Sequence, residues 1–259
     1  MKEIVVMPTC KRPEFLALAL ERLALATAWE TDRAPEVRIF ADTSANMDEV
    51  EWVAKHYYPS ADVHQAGKHV DAPSGTWNIL NAIEAGFLLG ADRVYLVEED
   101  VLVRPNFFQW HRSIHDAGAH DGTVLATCGR VEKRLERLFG EQYTNPGACL
   151  TLKLYKSLAE HIVDDYFTRP AEYVVENFEP WIGMSILDDG LIRRVIKKAG
   201  GKSLTATEGV AVHQGFFYYN RLDRYMNFSQ TIEGKIARLR EILAGIVPGE
   251  RYATDFEPF

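Results

Sequence analysis

Between Arg93 and Pro105 an apolar run, Val94-Tyr95-Leu96-Val97, meets three consecutive carboxylates, Glu98-Glu99-Asp100. A second apolar run, Val101-Leu102-Val103, then leads to Pro105, which opens an aromatic-rich helix. The first run reads as a buried strand. Adjacent acids at the end of a core strand repel one another and resist desolvation, so something must offset their charge. A hard divalent cation such as Mg²⁺ or Mn²⁺ does so, because it prefers carboxylate oxygens and takes phosphate oxygens in its remaining positions. The competing reading is a solvated strand-to-helix turn, with the acids facing the positive N-terminus of the next helix.

Upstream, short apolar runs alternate with helical patterns. Residues 4–7 form an all-apolar strand ending at Pro8-Thr9, and Pro13 starts a helix with Leu16, Leu20, Leu23 and Leu25 as an apolar pattern at helical spacing. Residues 36–41 read as a second strand ending at Asp42-Thr43-Ser44. Residues 47–58 read as a helix with Val50, Val53 and Ala54 inward, 61–65 as a weaker strand, and about 75–89 as a helix. This alternation predicts an α/β doubly wound sheet. Ligands of such sheets bind outside the carboxyl ends of the strands, where Arg12, Asp42 and Glu98 to Asp100 would gather. Asp42 also has a local reading as an Asx-turn.

The second half is less regular. Helices are expected over 106–117, through Ile162 and over 190–199, the last capped by Asp188-Asp189 and ended by Gly200-Gly201. Strands are expected at 123–127, 202–206 and 209–212. The charged stretch 130–143 has little core pattern and reads as a mobile excursion. His213-Gln214-Gly215-Phe216-Phe217-Tyr218-Tyr219 precedes a long helix carrying Leu222, Tyr225, Met226, Ile232, Ile236 and Leu239. His111 and His115 have the spacing of a helical metal pair, but with no third ligand nearby they read as an exposed helix face. Lys68 and His69 lie in a loop that can face a bound nucleotide.

At 259 residues the chain suits one α/β domain with an elaborated second half. A net charge of −8 argues against a general binder of nucleic acid or anionic membrane. The three cysteines, Cys10, Cys128 and Cys149, are widely spaced and fit free thiols in a reducing compartment. No signal peptide or membrane-length apolar run is visible, so a cytoplasmic location is expected.

These residues resemble the GT-A glycosyltransferases. Met7-Pro8-Thr9-Cys10-Lys11-Arg12-Pro13 is similar to the opening of many nucleotide-sugar transferases, where a strand ends in a Pro-Thr-x-x-Arg-Pro turn. Glu98-Glu99-Asp100 stands in the place of their metal-binding acidic triplet, the DxD-type motif. The nearest likeness is to the Golgi N-acetylglucosaminyltransferase family that initiates complex N-glycans. There too the triplet is followed by a proline and a Phe-Phe pair, like Pro105-Asn106-Phe107-Phe108. Leu187-Asp188-Asp189 and His213-Gln214-Gly215-Phe216-Phe217 resemble two later segments of that family, in the same order. Leu187 departs from a tryptophan there, the Gly-Gln order is inverted, and there is no Golgi membrane anchor.

The resemblance implies a Rossmann-like, mixed doubly wound sheet flanked by helices. It implies a single domain, with residues 1–104 as the nucleotide-sugar-binding half and 105–259 as the acceptor half. The activity it implies is metal-dependent, inverting transfer from a nucleoside-diphosphate sugar, a UDP-sugar, with Mn²⁺ or Mg²⁺. Asp100 is then the direct metal ligand, with His213 able to reach the metal or the diphosphate. Pro8, Thr9, Arg12 and Asp42 belong to the nucleotide site, and Glu98 and Glu99 act through water or on the ribose or sugar. The base is Asp188 or Asp189: ungapped comparison favours the former, the broader inverting pattern the latter, and Glu179 and Glu208 come next. The aromatics after His213 would close over the donor as a lid. The acceptor is a glycan, a protein side chain, a metabolite or a modified DNA base. Two other readings compete. A nucleotidyltransferase usually carries a glycine-rich phosphate loop that Pro8 to Pro13 lacks. A non-catalytic sugar-nucleotide- or glycan-binding domain has no need of both acidic groups.

Overall fold

The computed structural model describes residues 1–30, 33–67, 74–118, 122–129, 143, 145–160, 188–206, 209–213 and 231–244. The first half alternates as expected: β1 (Glu3–Thr9), α1 (Pro13–Ala28), β2 (Glu36–Ala41), α2 (Met47–Tyr57), β3 (Asp62–Gln65), α3 (Ser74–Leu88) and β4 (Arg93–Leu96). Then come β5 (Val101–Val103), α4 (Phe107–Gly118), β6 (Val124–Cys128), β7 (Ala148–Thr151) and α5 (Leu152–Leu158). The described chain closes with α6 (Asp188–Lys198), β8 (Lys202–Thr205), β9 (Ala211–His213) and α7 (Ile232–Ala244).

Seven strands form one sheet in the order β3-β2-β1-β4-β7-β6-β8. All neighbours run parallel except β7, which is antiparallel to both β4 and β6. The sheet is therefore mixed and doubly wound. β1 shows why. Val5 and Met7 pack with α1, α2, α4 and α7 on one face, while Ile4 and Val6 pack with α3, α5 and α6 on the other. A strand buried on both faces must be apolar at every position, and residues 4–7 are.

Phe15, Leu16, Leu20 and Leu23 of α1 are fully buried, each contributing about 1.5–3 kcal/mol, whereas Leu25, two residues on from Leu23 and so off that face, is 47% exposed. That burial sets α1 on the sheet although Arg12, its N-cap, supplies no side-chain cap. On the other face Gly86 lets α3 approach β4: a Cβ there would lie 2.8 Å from Val94 Cγ2.

β4 stops at Leu96, and β5 leaves the main sheet to pair with β9, Val101 opposite His213. This two-stranded ribbon brings a residue from late in the chain to the acidic triplet. Two expectations are corrected. The helix expected from about 190 already includes both aspartates, Asp188 and Asp189, among its described residues. Its other end is as expected: Gly200, at φ +63°, receives the chain, with Gly200 N–H on Lys197 O and Gly201 N–H on Ile196 O.

His111 and His115 are buried, not exposed, at 0% and 6% of their surface. They continue the face of α4 begun by Phe107, four residues earlier in each step. Thr127 on β6 makes their burial possible, its Oγ1 lying 2.6 Å from His111 Nδ1 and 3.0 Å from His115 Nε2.

Candidate active site

At the carboxyl ends of β1 and β4 the triplet divides its work. Glu99 turns inward and is almost fully buried. Thr9 Oγ1 donates to its Oε2, as does Cys10 N–H at 2.7 Å, and Arg12 Nε donates to Oε1 at 2.6 Å. Burial pushes the Glu99 carboxyl up, against Arg12, Thr9 and Cys10. Both its oxygens are thus engaged within the chain, tying the turn after β1 to the end of β4.

Asp100 is equally buried, and its two oxygens differ. Arg12 Nη1 lies 2.9 Å from Oδ2, while His213 Nε2 lies 3.4 Å from Oδ1. Among the described residues Oδ1 has no hydrogen-bond partner. Burial raises the Asp100 carboxyl, but His213 and then Arg12 outweigh it and hold it well below the usual range. Arg12 thus faces both acids, positioned by the start of α1, where its carbonyl accepts from Phe15 and Leu16.

Asp189 adds a second orphaned oxygen, Oδ1, buried at the start of α6. Burial pushes this carboxyl up to about 6, against the pull of His213. Among the described residues here the carboxyls Glu99, Asp100 and Asp189 outnumber Arg12, and the charge of His213 acts on the last two. Among the described residues no ready-made group of three or more His, Cys, Asp or Glu forms a metal cage. Asp100 and His213 nevertheless fit a divalent cation that takes its other ligands from a phosphate. They offer one hard oxygen, whose near neighbour is His213 itself at 3.4 Å, and one imidazole nitrogen, beside further carboxyls.

Asp42 sits just past β2 and is buried, with Oδ1 accepting from Ser44 N–H at 2.8 Å and Ser44 Oγ at 2.7 Å. The Asx-turn is real, and it leaves Oδ2 outside the turn. Pro8 and Thr9 close β1 opposite Phe40 and Ala41, where Asn78 Nδ2 bridges Thr9 O at 3.3 Å and Phe40 O at 2.8 Å. Glu98 accepts from Asn145 Nδ2 at 2.6 Å. Neither asparagine stood out in the sequence: Asn78 hides in a helix, and Asn145 sits in an Asn-Pro-Gly run that reads only as a turn. Lys68, His69, Glu179, Glu208, residues 214–219 and the expected helical stretch 222–226 lie outside the described residues, as does the side chain of Asp188.

The mixed α/β sheet flanked by helices is the GT-A fold, which this chain shares with solved glycosyltransferases. It is similar to glucosyl-3-phosphoglycerate synthase from Mycobacterium tuberculosis, solved with Mn²⁺, UDP and phosphoglyceric acid. The TM-score is 0.55 at 16% identity, over 92% of this chain and 78% of that one. TarS 1-349 from S. aureus gives 0.54 at 13% identity, over 93% and 71%, and that protein has also been solved with UDP-GlcNAc. The galactosyltransferase LgtC, in complex with donor and acceptor sugar analogs, gives 0.50 at 16% identity, over 79% and 73%. No protein-family model matches the sequence, nor does any curated protein. Among the described residues no helix is long and apolar enough to cross a membrane.

Proposed function

We propose that this chain is a metal-dependent glycosyltransferase that moves a sugar, with inversion, from a UDP-sugar to an acceptor hydroxyl. One observation carries the reading: in a GT-A fold, Asp100 Oδ1 and His213 Nε2 stand 3.4 Å apart at the mouth of the sheet, and that oxygen has no hydrogen-bond partner among the described residues. Two structural neighbours, one solved with UDP and Mn²⁺ and the other with UDP-GlcNAc, support the donor class. The likeness to the complex-N-glycan N-acetylglucosaminyltransferases rests on sequence motifs alone. The free thiols fit a reducing compartment.

Asp100 and His213 would hold Mn²⁺ or Mg²⁺, which supplies charge neutralisation to the departing diphosphate. The remaining roles belong to the chain. Asp42 Oδ2 accepts a hydrogen bond from the uracil or ribose, beside a floor made by Pro8 and Thr9. Arg12 is oriented toward the phosphates by Glu99, which reaches the nucleotide only through the groups it holds. Glu98 accepts from the sugar. Asp188 or Asp189 takes the proton of the acceptor hydroxyl, and the raised carboxyl of Asp189 suits proton transfer near neutral pH.

The test is a thermal-shift and turnover panel of UDP- and GDP-sugars with and without Mn²⁺. UDP-sugars should stabilise the protein only when Mn²⁺ is present, with slow release of UDP. A panel in which no nucleotide stabilises the protein, or in which Mn²⁺ makes no difference, overturns the reading.

A further inference from the structure

Asn145 is buried and lies just before β7. Extending the antiparallel register of β4 and β7, where Leu96 faces Ala148, brings Asn145 beside the acidic triplet. The turn that carries it is pinned from behind: Gly129 N–H donates to Gly147 O at 2.7 Å. A carboxylate only accepts hydrogen bonds, so the amide nitrogen of Asn145 must be the atom that meets Glu98 Oε1 at 2.6 Å. Oδ1 then faces away from that oxygen, and it is buried with no hydrogen-bond partner among the described residues. A buried amide oxygen is costly to leave unmatched, and one beside a candidate active site asks for a donor from outside the chain.

Strand order says which part of a donor would reach it. Asp42 follows β2, on the far side of β1 from β4, and Asn145 precedes β7, on the far side of β4 from β1. A nucleotide sugar lying across these strand ends, with its base at Asp42 and its diphosphate at Asp100, presents its sugar to Asn145. We propose that Asn145 is a specificity-determining residue that reads a hydroxyl of the transferred sugar. Its Oδ1 accepts from that hydroxyl, while Nδ2 holds Glu98 so that the carboxylate accepts from a neighbouring one. This inference rests on the glycosyltransferase reading. A sugar that lacks or inverts the hydroxyl facing Asn145 leaves the buried Oδ1 unmatched.

The experiment is calorimetric titration with Mn²⁺ of wild type, Asn145→Ala and Asn145→Asp, using UDP, UDP-GlcNAc, UDP-glucose and UDP-galactose. Asn145→Ala should bind UDP within about twofold of wild type, yet bind the preferred UDP-sugar about tenfold more weakly. Asn145→Asp keeps the size and one acceptor but cannot hold Glu98 at neutral pH. It should show the same selective loss, and it carries the test if the alanine variant fails to fold. Variants that keep the wild-type ratio of UDP-sugar to UDP affinity, or lose both affinities equally, overturn the role of Asn145 alone. Wild type that binds none of the four ligands overturns the glycosyltransferase reading, and this inference with it.

Discussion

His115 and His213 each stand beside an oxygen that the fold has buried, one under α4 and the other at the carboxyl edge of the sheet. Under α4 the hydrogen bonds form a directed chain. The His115 ring bonds the Cys149 backbone, so its other nitrogen, Nε2, accepts from Thr127, whose oxygen accepts in turn from His111 Nδ1–H. Only His111 Nε2 is left over. Burial pushes both rings down, His111 far below its ordinary value and His115 to about 4, so the cluster is neutral. At the sheet edge the balance is opposite: Asp100 and Asp189 each bury an oxygen without a partner, around a histidine that draws both carboxyls toward ionisation. A matched neutral cluster belongs to the architecture. An unmatched charged one points to a ligand.

The largest expected effect follows from breaking the charged cluster. Asp100→Ala should abolish Mn²⁺-dependent UDP binding and lower turnover by about 10²-fold or more, with the fold intact. Titration showing unchanged metal-dependent affinity would move the metal elsewhere. Next, Asp188→Asn and Asp189→Asn separate chemistry from binding. One of them should lose about 10²-fold in turnover at nearly constant UDP affinity, because an amide cannot accept the proton. The other should lose only stability, by about 1 kcal/mol, through its place in the first turn of α6. Two variants that turn over like wild type would place the base at another residue.

The sequence made the first half legible, and for a physical reason. Its strands are buried on both faces and its helices on one, so apolar runs and apolar stripes alternate openly along the chain. The carboxyl-end positions of Arg12, Asp42 and the triplet followed from that alone. What stayed hidden depends on pairings that leave no local trace. β5 and β9 are three residues each, too short for a periodic signal, yet their register alone sets His213 against Asp100. Asn145 reaches Glu98 only because β7 runs antiparallel to β4. Polar rings at i, i+4 read as solvated, and only Thr127, on another element, made burial tolerable for His111 and His115. Glu99 looked like its neighbours, and three donors from the end of β1 gave it an internal task.

A pH titration of stability sharpens the comparison from the neutral side. In the folded chain burial, and then Arg93, lower His115 from 6.5 to about 4. The unfolded chain therefore binds this proton more readily. The stability it contributes is fully present above pH 6.5, is lost as pH falls toward 4, and changes no further below that. By pH 5 the loss should be about 2 kcal/mol. His115→Gln cannot titrate, so its melting temperature should fall less than that of wild type between pH 6.5 and 5. Parallel curves for the two proteins would mean that His115 is not the group responsible.

The smallest effect comes from the hydroxyl that links the two rings. Thr127→Val keeps the shape of the side chain and removes its oxygen, leaving His111 Nδ1–H and His115 Nε2 without the partner they share. Unmatched buried groups of this kind cost about 1–2 kcal/mol in net stability, a drop of a few degrees in melting temperature for a chain of this size. Thr127→Ser, which keeps the hydroxyl, should recover most of the hydrogen-bond loss and retain only the cost of a missing methyl, about 1 kcal/mol. Neither variant should change UDP affinity or turnover, since the cluster lies beneath α4 and touches none of Arg12, Asp100, Asp189 or His213. Melting curves and kinetics of the pair, read together, decide it. If Thr127→Val lowers turnover while its melting temperature stays at the wild-type value, the interior cluster acts on the site, and the division between architectural and ligand-seeking histidines fails.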